Sequence, residues 1–282
     1  MYAARIPQVI GRHHPHGLIL VMALAVVVEL AWRLRSGRGY DRRAAFGSLG
    51  VGAGNIAFGV LNGLAIGAVM SWVWSFAPVR WPLDDARTWI TGFLLVELAY
   101  YAFHRLSHEV RWMWATHAVH HSAEQLTLLA SVRLGWTGLI SGAWLVYIPL
   151  VFAGFDPRLV AGLIAFNLHY QFFLHTEAVG RLGPLEWVFN TPAHHRVHHA
   201  SNPAYLDRNF GGVLIVFDRL FGSFAAQRPD EPLRYGLVHP VASDNPFALA
   251  LGEWRSLLRA TRAATSWKGR LGAVLGKPGA QA

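Results

Sequence analysis

The stretch TPAHHRVHHA, residues 191–200, carries His195, His198 and His199 at positions i, i+3 and i+4, and the same spacing occurs earlier as His117, His120 and His121 in HAVHH. On a helix, residues three and four apart share a face, so each HxxHH is expected to present three imidazoles to a single point. Upstream, His104 and His108 in HRLSH stand at i and i+4 and add a third helical face. The three segments together supply eight converging nitrogen ligands: His104, His108, His117, His120, His121, His195, His198 and His199.

The chain around them has a membrane protein's composition. Of its 282 residues, 53% are hydrophobic and only 15% charged, with 12 Trp and 16 Phe spread throughout. There is no cysteine, which excludes disulfides, thiolate metal sites and iron–sulfur clusters and leaves imidazole and carboxylate as the metal chemistry. The formal charge is +9. Lys and Arg fall mainly in the short connections between apolar spans, as membrane orientation and anionic headgroups require. No basic stripe interleaved with an aromatic platform supports nucleic acid as a partner. The first apolar run has no small-residue cleavage site after it and reads as a retained membrane helix.

Taken in order, residues 1–16 are polar and include His13, His14 and His16 in GRHHPH, read as incidental surface histidines of a terminus. Residues 17–32 are apolar except Glu29 and end at Arg33, Arg35, Arg38, Arg42 and Arg43, a cluster expected on the cytoplasmic side. Residues 46–77 exceed the roughly 20 residues of a straight span, so they are expected to be tilted, kinked or partly a hairpin. Their Asn55, Gly59, Asn62 and Gly63 give a small, polar side for close packing on another membrane helix. Residues 88–103 form a third span, and 135–153 and 158–175 two further apolar segments that cross or dip in as a hairpin. Gly211 and Gly212 break the chain before Val213–Phe224, expected to be an interfacial helix or a lid.

The expected fold is therefore all-α: a polytopic membrane helical bundle of about four to five membrane segments with a cytoplasmic histidine-rich cap. It divides into N-terminal membrane helices (1–87), a histidine-bearing domain (88–225) and a basic membrane-surface tail (226–282). The charge pattern places every histidine cluster at the cytoplasmic face, in a bacterial inner membrane or an ER-type membrane.

Two polar stripes approach the histidines from inside the apolar segments. Glu97, Tyr101, His104 and His108 lie on one helical face; Glu97 either accepts an N–H from a ligating imidazole or pairs with another helix. Asn167, Gln171 and His175 form the second stripe, with His175 a further candidate ligand and Gln171 a weaker one. His169 lies well around that helix and reads as an interior or substrate-contacting residue. His194 is about 100° from His195 and is kept outside the ligand set. Eight to ten imidazoles exceed what one ion uses, since zinc takes about four ligands and iron at most about six; the count implies two metals. Histidine-rich coordination suits iron, copper or zinc. Two adjacent irons can take up electrons, bind dioxygen and abstract hydrogen from an unactivated C–H bond, which suits a substrate lying in lipid. A membrane metal-binding or transport protein is the alternative of a different class; transport needs polar residues through several spans, whereas these ligands gather beside the membrane.

HRLSH at 104–108, HAVHH at 117–121 and HRVHH at 195–199 resemble the fatty acid hydroxylase and sterol desaturase superfamily of membrane di-iron oxygenases, over about residues 88–225. FLHTEAVGRLGPLEWVFNTPAHHRVHHASNP (173–203) and NFGGVLIVFDRLFG (209–222) especially resemble the alkylglycerol monooxygenase-like branch and its bacterial relatives. The resemblance implies a dioxygen-dependent di-iron hydroxylase (monooxygenase) acting on a C–H bond of a membrane lipid. In that branch the lipid is an ether lipid; an aminolipid, fatty acyl chain, sterol or carotenoid remains open, as does lipid or sterol desaturation on the same site. It implies two iron ions, replaceable by zinc during purification, and an external electron donor, either a reduced pterin such as tetrahydrobiopterin or an electron-transfer protein. By the same resemblance, His175 matches an extra histidine before the last box and Gln171 stands where some members have another. Glu109 matches an acidic position of the alkylglycerol branch, expected to tune a ligand or contact a cofactor.

Overall fold

The computed structural model describes residues 15–279, so His13 and His14 of GRHHPH, and the side chain of His16, lie outside the described residues. The described chain is helical, with isolated bridges at Phe189–Leu214 and Ala200–Tyr235 and no strand among the described residues. The described residues separate into two compact units, divided after Tyr40. In the first unit, helix α1 (Pro15–Arg35) ends in a turn held by Arg33 Nε donating to the Gly39 carbonyl at 2.9 Å.

The second unit begins with α2 (Arg42–Ser75), whose N-cap Asp41 accepts from the backbone N–H groups of Arg43 and Ala44. This helix is unbroken over 34 residues, about 51 Å at 1.5 Å per residue, so no hairpin interrupts it. Its Asn55 and Asn62 donate to the carbonyls of Gly135 and Trp136 at 3.3 and 3.0 Å. A Cβ on Gly54 would overlap the Trp136 ring. The two asparagines thus meet an irregular segment, which has free carbonyls to satisfy, while an added Cβ on Gly59 or Gly63 would meet nothing within 4 Å.

Helix α3 (Ala86–Glu109) starts at the Asp85 N-cap and passes through Val110 directly into α4 (Arg111–His121). Val110 is extended (φ −112°, ψ 114°), and this single non-helical residue turns the second helix back beside the first. Residues 135–153, expected as one apolar segment, instead form α5 (Gly138–Ser141), a 3₁₀ turn (Ala143–Tyr147) and α6 (Ile148–Phe152). Gly142 at φ 70° breaks them, a conformation that suits glycine. Helix α7 (Pro157–Phe172) is capped by Asp156 with Pro157 in its first turn. Met70, Val96, Ala99, Tyr147, Val151, Phe155, Leu159 and Val160 bury one core between α2, α3, α6 and α7.

Two helices among the described residues are long and apolar enough to cross a bilayer: Gly17–Arg35 and Arg42–Ser75. Their outward residues are exposed, Leu64 at 69% and Trp72 at 65%, a distribution that fits a lipid surround. The chain is a membrane protein built from helices.

Short α8 (Pro192–His198) and α9 (Val216–Leu220) complete the histidine-bearing region. The segment expected as an interfacial helix or a lid holds the short α9, with Leu220 and Phe221 exposed and its inner side buried. Asp218 is fully buried and accepts from the N–H groups of Phe210 and Gly211 at 2.7 Å and from Ser223 Oγ at 2.6 Å. A buried carboxylate with three donors fixes the loop around it. The expected surface tail is ordered and packed: α10 (Pro246–Ala263) lies on α4 and α2, and α11 (Trp267–Leu275) on α10 and α4. Trp254 Nε1 donates to Thr137 Oγ1 at 2.8 Å and Arg111 to Ser256 at 3.2 Å.

Candidate metal centre

The histidines gather into two adjacent groups. His104, His108, His117, His121 and His198 form one, His120, His175, His195 and His199 the other, and within each the offered ligand atoms lie within 4.8 Å of one another. The structure therefore divides both HxxHH segments, contrary to the single focus expected for each. His117 and His121 join the first group while His120 joins the second; His195 and His199 join the second while His198 joins the first. The reason is the helix repeat. Residues i and i+4 differ by 40° around the axis, but neighbours i+3 and i+4 differ by 100°, so only the first pair can share a focus.

Hydrogen bonds on one edge of several rings fix what the other edge offers. His104 Nδ1 donates to the Phe210 carbonyl at 2.7 Å, His175 Nδ1 to the Gln171 carbonyl at 2.7 Å, and His198 Nδ1 to the Arg208 carbonyl at 2.9 Å. A carbonyl only accepts, so Nδ1 carries the proton and Nε2 is left as a bare lone pair. His108 Nδ1 lies 3.5 Å from Asp207 Oδ1. The Nε2 atoms of His108 and His198 are buried with no hydrogen-bond partner.

The lone pairs converge. Nε2 atoms are 3.0 Å apart for His104–His117 and 3.2 Å for His117–His121. In the second group the separations are 3.1 Å (His120–His175), 3.0 Å (His175–His195) and 3.1 Å (His195–His199). Two imidazole nitrogens at right angles and about 2.1 Å from one ion would stand about 3.0 Å apart. The donor set fits metal ions. Burial, and secondarily repulsion between neighbouring imidazoles, holds His117, His121, His195, His198 and His199 well below the ordinary histidine range. The neutral form is the one that ligates.

The remaining sequence candidates fall elsewhere. Glu97 reaches no imidazole: it accepts from Asn167 Nδ2 and from the N–H groups of Val213 and Leu214 at 2.8 and 2.9 Å, the helix-pairing alternative. Gln171 is not among the converging donors, because its amide is used by Tyr100 Oη at 3.1 Å and by Asn167 Oδ1; its backbone carbonyl is what orients His175. Glu109 pairs with Arg105 at 2.9 Å on the half-exposed face of α3. His169 turns its Nδ1 to the Ala165 carbonyl, and His194 packs edge-on against Phe224, outside both groups. Sequence reasoning missed Asp207, Arg208 and Phe210, which hold ring edges of His108, His198 and His104. Asp207 and Asn209 adopt positive φ of 57° and 59°, and an Asp–x–Asn segment just after the last histidine box is the signal that marks such a turn.

An apolar cavity of about 470 Å³ opens onto His117 and His120, lined by Gly63 and Gly67 of α2, by Tyr100 and Phe103 of α3, and by Trp144 and Tyr147.

Fold and site together define a helical membrane protein with two adjacent clusters of imidazoles able to hold metal beside an apolar cavity. Residues 89–223 match the family model for fatty acid hydroxylase. Among curated proteins, the chain is 34% identical to alkylglycerol monooxygenase of Xenopus tropicalis over 267 residues, 92% of this chain and 57% of the relative. It is 44% identical to alkylglycerol monooxygenase of Homo sapiens over 58% of this chain and 36% of that protein. It is 32% identical to ornithine lipid hydroxylase OlsE of Rhizobium tropici over 53% of this chain and 44% of that protein. The chain thus spans less than two thirds of the length of each of these relatives. No solved structure matches it significantly.

Proposed function

We propose that the chain is a membrane-bound, dioxygen-dependent di-iron hydroxylase that acts on a C–H bond of a lipid. The observation that carries this is the juxtaposition of five- and four-histidine groups with an apolar cavity that reaches His117 and His120. The names of its relatives, which act on an alkylglycerol and on an ornithine lipid, support an ether lipid or an aminolipid as substrate. His104, His108, His117, His121 and His198 would hold one iron, and His120, His175, His195 and His199 the other. Bound iron supplies the dioxygen chemistry that removes hydrogen from an unactivated carbon.

The chain's own residues do the rest. Carbonyls of Phe210, Gln171 and Arg208 keep His104, His175 and His198 in the Nδ1–H form, and the cavity wall aligns an acyl or alkyl chain with one carbon near His117 and His120. Tyr100, Ser107 and Tyr147 are among the few polar side chains of that wall, so water gains little by entering with the chain. The electrons come from an external donor, a reduced pterin or an electron-transfer protein. In the membrane, the basic run from Arg33 to Arg43 favours the cytoplasmic side for the histidine-bearing cap, in a bacterial inner or ER-type membrane, with α3 and α7 as further membrane segments.

Comparative lipid mass spectrometry of cells with and without the protein tests the reading. A lipid gaining one oxygen, labelled from ¹⁸O₂ and absent with His120→Ala or His198→Ala, is the expected result. A lipid losing two hydrogens assigns desaturation instead, and unchanged turnover in both variants refutes the metal-site assignment.

A further inference from the structure

The grouped histidines border a second cavity, a recess of about 130 Å³ that shares no lining residue with the apolar one. His108, His121 and His198 of the five-histidine group and His199 of the four-histidine group stand in its wall, whereas the apolar cavity meets His117 and His120. Both groups therefore face both cavities, through different rings. Beside the imidazoles in the recess are Ser201, Asp207 and Lys277.

These side chains are graded from solvent to ligand. Lys277 is 62% exposed, Asp207 41% and His108 7%. The Asp207 carboxylate spans the gradient, with Oδ2 3.7 Å from Lys277 Nζ and Oδ1 3.5 Å from His108 Nδ1. Deeper still, the Nε2 atoms of His108 and His198 are buried without a hydrogen-bond partner. Lys277 follows α11, and the chain just before it is pinned to the start of α4, where the Arg111 N–H donates to the Gly276 carbonyl at 3.0 Å.

Eight of the nine grouped imidazoles are buried and His117 is half-buried, so an ion needs a passage to reach them. The apolar cavity is a poor one. A divalent cation moved into it loses its hydration with nothing in return, and the hydroxyls there are committed: Tyr100 to Gln171, Ser107 to the Phe103 carbonyl and Thr116 to Thr137. The recess offers a part-solvated carboxylate as a first oxygen donor and bare imidazole nitrogens behind it, with room for an ion that keeps some of its water. We infer that this recess is the entry port of the metal centre, where Asp207 is the first protein group to meet an incoming divalent cation and Lys277 is the counter-charge that the cation displaces. The carboxylate draws the ion in, and Lys277 slows it by holding the same oxygens. This inference rests on the metal-centre part of the proposed function and is independent of what the centre oxidises.

The test follows uptake of Co²⁺ alone by the metal-free full chain in phosphatidylcholine nanodiscs, read by stopped-flow visible absorption, with the final cobalt content from metal analysis. Asp207→Asn keeps the side chain's size and suits the φ of 57° at this position. Lys277→Glu reverses an exposed charge outside both ligand groups, and Val238→Trp narrows the mouth from a residue that is 60% exposed. The expected result is association slowed about tenfold in Asp207→Asn and quickened about threefold or more in Lys277→Glu, with both differences narrowed by added salt. Val238→Trp slows uptake at every salt concentration, Gly67→Leu in the apolar cavity leaves the rate unchanged, and the final cobalt content is the same throughout. If Asp207→Asn also lowers the final content, through its contact with His108, the other two recess variants decide. Unaltered rates in Lys277→Glu and Val238→Trp overturn the port, as does slowing by Gly67→Leu alone. A protein that takes up no cobalt even at equilibrium overturns the metal-centre reading beneath it.

Discussion

Glu97 is the keystone between the two polar stripes, and replacing it separates a charge effect from a wiring effect. Its Oε2 accepts from the N–H groups of Val213 and Leu214, and its Oε1 from Asn167 Nδ2. Asn167 Oδ1 in turn accepts from Gln171 Nε2, and Gln171 Oε1 accepts from Tyr100 Oη. Glu97→Leu leaves three buried donors without acceptors; at about 1–3 kcal/mol for each, the loss is on the order of 3 kcal/mol or more. Glu97→Gln is different. Its amide oxygen can keep the two backbone donors while its NH₂ faces Asn167. If the amides of Asn167 and Gln171 both turn over, each amide donor again meets an acceptor, and Tyr100 accepts where it had donated, its own O–H turning to the cavity it lines. Only the charge assistance is lost, about 1–2 kcal/mol. Urea or thermal unfolding of metal-free protein in nanodiscs, followed by circular dichroism, reads the difference. Equal destabilisation by Gln and Leu, or a Leu variant within about 0.5 kcal/mol of the unaltered protein, would refute the network argument.

The division of the histidine boxes predicts selective metal loss. His195→Ala leaves three imidazoles in its group and His198→Ala leaves four in the other, so metal analysis should find one ion lost in each variant, more completely in His195→Ala, and both ions lost in His195→Ala/His198→Ala. Gly67 lines the apolar cavity with nothing within 4 Å of where a Cβ would stand, so Gly67→Leu should cut product from long-chain lipid at least tenfold with metal content unchanged; full activity would exclude this cavity as the lipid site. Burial holds His194 down to about 4 from its ordinary 6.5. The unfolded chain therefore takes up a proton that the folded one refuses, and the contribution of His194 to stability is constant above pH 6.5 and falls between 6.5 and about 4. His194→Gln should remove up to about 1.4 kcal/mol per pH unit of that slope, measured by unfolding at fixed metal-free conditions across the window.

Much of the fold is legible because local rules dominate it. Asp41, Asp85, Asp156 and Asn245 stand as N-caps at helix starts, and the apolar run of α1 gives its length away, whereas that of α2 leaves a hairpin open. The break at 135–153 was not legible from apolarity, because it depends on Gly142 turning left-handed and on Asn55 and Asn62 of α2 reaching across to carbonyls some eighty residues away. The packing of α10 onto the histidine helix α4 was likewise hidden. Its Trp254–Thr137 and Arg111–Ser256 contacts join residues more than a hundred positions apart, and a basic, tryptophan-bearing tail reads equally well as a membrane-surface helix.

For the site, sequence alone determined which histidines matter, since HRLSH, HAVHH and HRVHH carry eight of the nine grouped imidazoles and the Asn167–Gln171–His175 stripe carries the ninth. Tertiary structure decided how they are shared. Spacing along a helix fixes relative directions only, and a 100° step between neighbouring histidines sends His120 and His121 toward different foci. Which focus each joins depends on what stands opposite: His104 and His108 from α3 on one side, His175 from the end of α7 on the other. The carbonyls of Phe210, Gln171 and Arg208 then fix ring edges from loops whose positions no local pattern encodes.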